Sequence, residues 1–555
     1  MHWEYVIPFL ASVSLLISCI IVSSKKYYWN DELYSYFLLA DPSFSHMWGS
    51  FQDKINNTPS VYFVLGWLWV QLFSASELSL RLFSSIGFVA SLWITWFALR
   101  RYFSVVATAI GVLLPYCAST LVLYQNSEAR MYGLYLTVCA LGLLLYDRIN
   151  QTENPGRFLW IANATIHAAF IHTHLHGIFF SGALLVAFLV NDYYHNRFRI
   201  SVYLSIFLGW LTFLLYLPTF LVQADAGYPR TWLYLPSWRD LASTLTLFEY
   251  GSRQWLTPLP FNAKAWVKLA GVVVAVGVSL WLLIPQLRRK SAAIPSRTGV
   301  RREKSGVVSL LFLAYAYLAV IPAVWLISYL IKPVFMDRYL MPVLFSWTII
   351  LPFLVENSIA VLRNSVAQKA NGLDQFVVVK AGPVFITLLI AFLLYRPIAY
   401  AKNRYTELMP GWADSQCEYT NLPIVFNYSN DFLKRLYYRT DRDRYFFVQH
   451  WPSAVDTTSG LFPPQEYKHL EALKRRYPDF FKNQIIQSDE FLKKHERFLV
   501  ITQQNYRRKA TSKPTIENVQ QPQWFNQVIV NNPRYKVTVL GENDIYAIIH
   551  LVERK

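Results

Sequence analysis

Long apolar runs separated by short charged or turn-rich stretches recur from residue 5 to residue 396 and then stop. A helix needs about 20 apolar residues to cross the hydrocarbon core, with a usual range of about 17–25. On that measure spans are expected at 5–22, 82–99, 104–122, 131–147, 157–172, 178–192, 201–221, 265–285, 307–330, 340–355 and 380–396. The pattern therefore predicts a polytopic α-helical membrane protein of about 11 transmembrane helices. The stretch 58–74, bounded by Pro59 and rich in Trp and Tyr, is expected to lie at the interface as a juxtamembrane helix. The first run has no basic stretch before it and no small-x-small cleavage site after it, so it reads as a retained anchor rather than a signal peptide.

If these spans alternate, Arg100, Arg101, Arg197, Arg199 and the cluster Arg288, Arg289, Lys290, Arg297, Arg301, Arg302 and Lys304 all fall on one side. Cationic loops mark the cytoplasm. The agreement holds only if 58–74 makes no net crossing. The other side then receives residues 23–81, the turns around Glu128 and His174, the loop 222–264, the turn 332–339 and everything after 396. The expected division is a membrane domain at 1–396, with a first outer loop 23–81, an outer loop 222–264 and a basic cytoplasmic loop 286–306, followed by an extracytoplasmic domain at 397–555. The expected location is the bacterial inner (cell) membrane.

After residue 396 the pattern changes. Short β-rich runs at 422–426, 444–449, 497–502, 535–540 and 545–551 alternate with helix-like stretches at 465–476 and 488–496. That alternation predicts a small soluble α/β domain. Composition agrees with two regions, because 54% hydrophobic residues are too many for one soluble domain of this length. The net charge of +18 fits membrane orientation and anionic lipid, and no zinc-finger spacing or RNA-binding signature points to nucleic acid. Cys19, Cys117 and Cys139 lie in apolar runs and only Cys417 lies in the tail, so no disulfide framework is available there. Asn427-Tyr428-Ser429 is a formal glycosylation sequon and a weak three-residue match.

Four polar constellations fall on the outer side. Asn30-Asp31-Glu32 directly follows the first span, where the acids either complement a helix N-terminus or serve a site. Glu128 and Arg130 either snorkel at a helix end or meet a lipid phosphate, for which the arginine fork is matched. His172 and His176 would share a face at i, i+4 spacing if helical, which is compatible with zinc; interfacial histidines or a substrate hydrogen bond are the alternatives. Arg338 and Tyr339 enter a span as a membrane anchor or as a substrate-facing cation and ring. In the loop 222–264, Ser237 and Asp240 have the spacing of a capping box, and Arg230 and Trp232 are possible substrate contacts.

The ordered set Asp31-Glu32, Asn57-Thr58-Pro59-Ser60-Val61-Tyr62, Ser76-Glu77-Leu78-Ser79-Leu80-Arg81, Ser127-Glu128-Ala129-Arg130-Met131-Tyr132, Thr173-His174 with Gly177, and Arg338-Tyr339-Leu340 resembles the polytopic GT-C glycosyltransferases over roughly residues 1–400. It resembles especially the protein O-mannosyltransferase-like branch that includes the aminoarabinose transferase acting on lipid A. The resemblance implies an inverting glycosyltransferase that moves a sugar from a polyprenyl-phosphate donor to a hydroxyl acceptor on lipid, glycan or protein at the outer face. It implies Asp31 as proton acceptor, with Glu32 orienting Asp31, the acceptor or a bound cation. Arg130 and Arg338 would hold the leaving phosphate, Glu128 would fix Arg130 or the sugar, and Tyr132, His174 and Tyr339 would line the donor. Related sequences often carry His-Pro-Pro or Lys-Pro-Pro where this chain has Asn57-Thr58-Pro59, which leaves Lys54 as a substitute phosphate ligand. No cofactor is assigned, and a divalent metal ion stays open. The rival class is a polytopic transporter or flippase for lipid or glycolipid, which would place ionisable groups deep within spans and show repeat symmetry.

Overall fold

The computed structural model describes residues 3–152, 155–229, 235–246, 263–288, 300–368, 382–403, 421–455, 463–504, 524–543 and 547–555, with 233, 253–254, 257–258, 419 and 519–520 between them. Arg230, Trp232, Cys417 and residues 289–299 of the basic loop lie outside the described residues, as does the side chain of Arg239.

The chain is an integral membrane protein. Among the described residues, nine helices are long and apolar enough to cross a bilayer. Two expected spans are shorter than that standard. The run at 104–122 forms Val105–Leu113 and then a π turn at Leu114–Ala118, where Pro115 supplies no N–H to continue the α-helical ladder. The run at 157–172 forms Arg157–Thr173, 17 residues or about 25 Å. The run at 201–221 is divided at Thr212 into Ile200–Leu211 and Phe213–Asp225. Ser60–Phe73 has 14 residues, so at about 21 Å it is shorter than the roughly 30 Å hydrocarbon core.

Two helices pass backbone to backbone and set the site's foundations. A Cβ on Gly133 would lie 1.9 Å from the Ser84 carbonyl oxygen, and one on Gly87 would lie 2.4 Å from the Gly133 carbonyl carbon. Helices Glu77–Leu99 and Tyr132–Gln151 can therefore touch only because both positions lack a side chain. Thr137 Oγ1 donates to the Gly87 carbonyl at 2.7 Å across the same contact. The pairing fixes Arg81 on the first helix beside Arg130, which lies just before the second.

The two ends of the bundle differ in charge pairing. Near the N-terminus Arg100 binds Glu4 at 2.8 Å, Arg101 binds Asp147 at 2.5 Å and Arg199 binds Asp192 at 2.5 Å. At the other end lie Asp31, Arg130, His174 and Arg338, joined there by the tail.

The tail is an α/β unit built on a seven-stranded sheet. Numbering strands within it as β1 (Ile424–Phe426), β2 (Tyr445–Gln449), β3 (Ile485–Gln487), β4 (Arg497–Gln504), β5 (Val519–Gln520), β6 (Tyr535–Asn543) and β7 (Ala547–Arg554), the order is β3-β2-β1-β4-β7-β6, with β5 pairing β4. The first four are parallel, with Ile424 opposite both Tyr445 and Leu499, and β7 pairs antiparallel with β4 and β6. Five of the strands expected from the sequence are present, as are the helices Pro463–Arg476 and Ser488–Lys494.

This unit grips the segment between the first span and helix Glu77–Leu99. Helix Ser429–Tyr438 sits on helix Asn30–Leu39: the Asn30 N–H donates to Asn430 Oδ1 at 3.1 Å, Asn30 Nδ2 donates to Ser429 Oγ at 2.9 Å, and the Tyr28 N–H donates to Tyr438 Oη at 2.9 Å. Tyr438 Oη donates in turn to Glu77. Asp53 is held by Arg475 at 2.7 Å and Arg476 at 2.9 Å, and Tyr477 Oη donates to the Phe37 carbonyl at 2.8 Å.

Candidate functional site

The two adjacent carboxylates after the first span have opposite environments. Glu32 is the N3 residue of helix Asn30–Leu39 and reaches back to accept the Trp29 N–H at 3.2 Å. Its side chain points inward and is fully buried. Arg81 grips it with both arms of the fork, Nε to Oε1 at 2.9 Å and Nη2 to Oε2 at 3.0 Å, and the Ala129 N–H donates to Oε1 at 2.8 Å. Lys26 lies 3.9 Å from Glu32 and forms a close ion pair with Glu128, which also accepts from Trp29 Nε1. Two cations and two anions thus balance in a closed box. Burial alone would raise the Glu32 carboxyl, but Arg81 and Lys26 override it and hold the group down to about 2. Glu32 and Glu128 have no exposed side-chain surface, so they act by positioning the loops that carry Asp31 and Arg130.

Asp31 is one residue earlier on the helix and faces out, with 27% of its side chain exposed. Arg338 Nη2 approaches its Oδ2 at 3.5 Å and Arg130 Nη2 at 3.9 Å. Arg130 is anchored by its other arm, Nη1 donating to the Asp31 carbonyl at 2.9 Å and to Ser35 Oγ at 2.8 Å. Its Nε is buried with no hydrogen-bond partner. Arg338 lies between the rings of Trp29, 5.7 Å from its guanidinium, and Tyr339, at 5.5 Å. Three separate loops therefore place one accessible carboxylate between two guanidiniums that are themselves almost wholly buried.

Beneath this group His174 stacks on Tyr135 at 4.8 Å and lies 5.0 Å from the Tyr339 ring and 6.0 Å from Tyr132. Burial, with His176, Arg130 and Arg338 nearby, pushes the His174 imidazole well below its usual range, so it is neutral. Its Nδ1 accepts the His176 N–H at 3.1 Å, which places the ring proton on Nε2. His174 is thus set up as a neutral donor.

Other expectations are corrected by the geometry. Helix Arg157–Thr173 ends before His174, so His172 and His176 do not share a helical face. Instead His172 Nε2 meets Thr212 Oγ1 at 3.0 Å and His176 Nε2 meets the Val334 carbonyl at 2.8 Å. Among the described residues, no group of three or more His, Cys, Asp or Glu has a metal-holding arrangement. Lys54 binds Asp225 at 2.5 Å, with Lys468 on the same carboxylate at 3.0 Å. Ser237 and Asp240 do form the capping pair, Ser237 N–H donating to Asp240 Oδ2 at 2.7 Å. Asn427 is 7% exposed, which does not suit a glycan acceptor.

Sequence reasoning missed Lys26, Trp29, Ser35 and the entire tail contribution. A cation five positions before the acid pair was the available signal for Lys26. The tail offered none, because its contacts span about 400 positions of sequence, as from Asn30 to Asn430.

No protein-family model matches the chain, and no curated protein matches it in sequence. Its fold does match solved structures. The crystal structure of ArnT from Cupriavidus metallidurans in the apo state aligns with a TM-score of 0.51 at 11% identity, covering 98% of this chain and 97% of that one. The crystal structure of the same protein bound to undecaprenyl phosphate aligns with a TM-score of 0.49 at 14% identity, over 99% and 98% of the two chains. The fold is that of an ArnT-like GT-C bundle with a small C-terminal sheet domain.

Proposed function

We propose that the protein is an inverting glycosyltransferase that takes a sugar from a polyprenyl-phosphate donor and transfers it to a hydroxyl group at the outer face of a cell membrane. The observation that carries this reading is the accessible Asp31 carboxylate between the guanidiniums of Arg130 and Arg338, 3.9 and 3.5 Å away. The ArnT-like fold supports it. The outer-face assignment draws support from Arg100, Arg101 and Arg199, which lie at the opposite end of the bundle, as cationic cytoplasmic loops do.

The chemistry follows from these groups. The bond from the sugar's anomeric carbon to the phosphate oxygen breaks, and its electron pair leaves on a phosphate whose second pKa is about 6. Such a leaving group needs cations more than a general acid. Arg130 and Arg338 supply them in a forked geometry, and the neutral His174 adds a hydrogen bond. As phosphate occupies the two forks it releases Asp31 from its loose pairing. Asp31 then accepts the proton of the attacking hydroxyl on the opposite face of the ring, giving inversion.

The test uses the purified full-length chain with a panel of undecaprenyl-phosphate-linked sugars and membrane glycolipid acceptors, read by mass spectrometry. Asp31→Asn is expected to lower transfer by about 1,000-fold or more while undecaprenyl phosphate still binds. Wild-type turnover by Asp31→Asn would remove Asp31 from the reaction.

A further inference from the structure

The contact between the first outer loop and the tail holds more buried hydrogen-bonding atoms than it uses. Asn427 is 7% exposed, and neither its Nδ2 nor its Oδ1 has a partner. Since both atoms are orphaned, exchanging the two ends of the amide changes nothing. Gln465 Oε1 is likewise buried and unpartnered, whereas the Tyr34 hydroxyl faces Ser429 and Asn30. The Gln465 orientation is set by its neighbour: His469 Nδ1 donates to the Lys54 carbonyl, so His469 Nε2 accepts from Gln465 Nε2 at 3.3 Å, leaving Oε1 over.

These atoms belong to one place. Asn30 is bonded to Ser429 and Asn430, the Ser429 N–H donates to Glu466, His469 follows Glu466 by one turn, and its ring lies 5.4 Å from Tyr34. Asp31 is the next residue after Asn30. Leaving a buried polar group unpaired is costly, so several together mark a site that expects a partner.

The sheet topology points to the same place by a separate argument. From β1 the chain builds outward to β2 and β3, then returns to place β4 on the other side of β1. The strand order thus reverses between β1 and β4, and open parallel sheets bind ligands outside the carboxyl ends of the strands at such a reversal. Asn427 is the first residue after β1, at that end.

We propose that this seam is the acceptor subsite, and that it takes the hydroxyl face of a neutral sugar. The proposal rests on the transferase reading above and names the acceptor class it left open. The leftover atoms decide the chemistry. Asn427 Oδ1 and Gln465 Oε1 can only accept, so the ligand must bring O–H donors. Asn427 Nδ2 needs an acceptor, which a hydroxyl also provides. A deprotonated phosphate brings no donors and would meet these oxygens as an anion. Burial raises the Glu466 carboxyl to about 7, so near neutrality it too can exchange hydrogen bonds in either direction. A sugar seated here would present a hydroxyl towards Asp31, and the tail would select which glycan enters.

The proposal is tested on the full-length protein in a sugar-free detergent by saturation-transfer NMR with three probes: lactose, glucose 1-phosphate and a Ser/Thr peptide. Lactose is expected to receive saturation from the wild type in preference to the other two. Asn427→Leu and Gln465→Leu should each weaken that signal by about fivefold or more, the loss expected for one or two hydrogen bonds. If Asn427→Leu fails to fold, Asn427→Asp keeps the volume, removes the N–H donor and should weaken lactose binding in the same direction. A lactose signal that survives these substitutions, no lactose signal from the wild type, or preferential binding of glucose 1-phosphate or the peptide overturns the proposal. Undecaprenyl phosphate binding is measured in parallel. Lactose binding without it would remove the donor reading and leave the seam, whereas the reverse would remove the seam alone.

Discussion

Replacing Glu32 by Gln should unfold the end of the bundle that carries Asp31 far more easily, although the side chain keeps its shape. The carboxylate accepts four hydrogen bonds, two from Arg81 at 2.9 and 3.0 Å, one from the Ala129 N–H at 2.8 Å and one from the Trp29 N–H at 3.2 Å. An amide turns one acceptor into a donor aimed at donors, and leaves Arg81 and Lys26 opposed by Glu128 alone. The shift of the Glu32 carboxyl from 4.5 to about 2 corresponds to about 3 kcal/mol at neutral pH. Removing one partner from a buried ion pair gives the same scale, about 3–5 kcal/mol. Because the folded-state value is depressed, this stabilisation is present above the free carboxyl's pKa and disappears as pH falls from about 5 towards 2. In intrinsic-fluorescence melting of the detergent-purified protein at pH 7, Glu32→Gln is expected to lower the melting temperature by at least about 5 °C. Asp31→Asn, at the exposed neighbour, should melt like the wild type while losing transfer. A Glu32→Gln protein that melts within about 1 °C of wild type at neutral pH would show that the four-charge box does not hold the loops together.

Arg338→Ala and Arg130→Ala should each lower kcat/KM for the lipid donor by about 100-fold or more, and steady-state kinetics at varied donor concentration will measure it. Arg338→Lys should recover only part, since an ammonium lacks the fork. Glu466 has a raised carboxyl at about 7, caused first by burial, with Asp431 adding a like charge, so its contribution falls as pH rises from about 4.5 to 7. Hydrogen exchange in Ser429–Tyr438 is therefore expected to quicken between pH 5 and pH 8 beyond the intrinsic rate change, and Glu466→Gln should flatten that excess. Gly133→Ala pushes a methyl into the Ser84 carbonyl and should destabilise by about 1–3 kcal/mol, seen as a lower melting temperature together with reduced activity, because Arg81 and Arg130 move with the two helices.

The spans were legible because hydrophobic burial in lipid demands long apolar runs, and the tail's strands because alternation with turn residues survives without context. The co-location of Asp31, Arg130 and Arg338 was legible too, since charge alternation across spans puts their loops at one end. The different fates of Asp31 and Glu32 were not. Both are acids in one helical turn, and what separates them is Arg81, 49 positions away, together with the Ala129 N–H. Lys54 shows the converse. The family resemblance offered it as a substitute phosphate ligand, yet its ammonium pairs with Asp225, 171 positions away, a carboxylate that Lys468 also binds. The orphaned amide of Asn427 was hidden inside a sequon pattern, because only the fold shows that it is buried at a strand end.

The clasp between Asn30 and the Ser429–Asn430 pair has a temporal consequence. A ribosome delivers the helix that bears Asp31 some 400 residues before the helix that braces it, so the apolar spans between them are made while that brace is still missing. Until residues 429 and 430 have been made, that helix lacks the two hydrogen-bond partners that Asn30 finds in the folded protein.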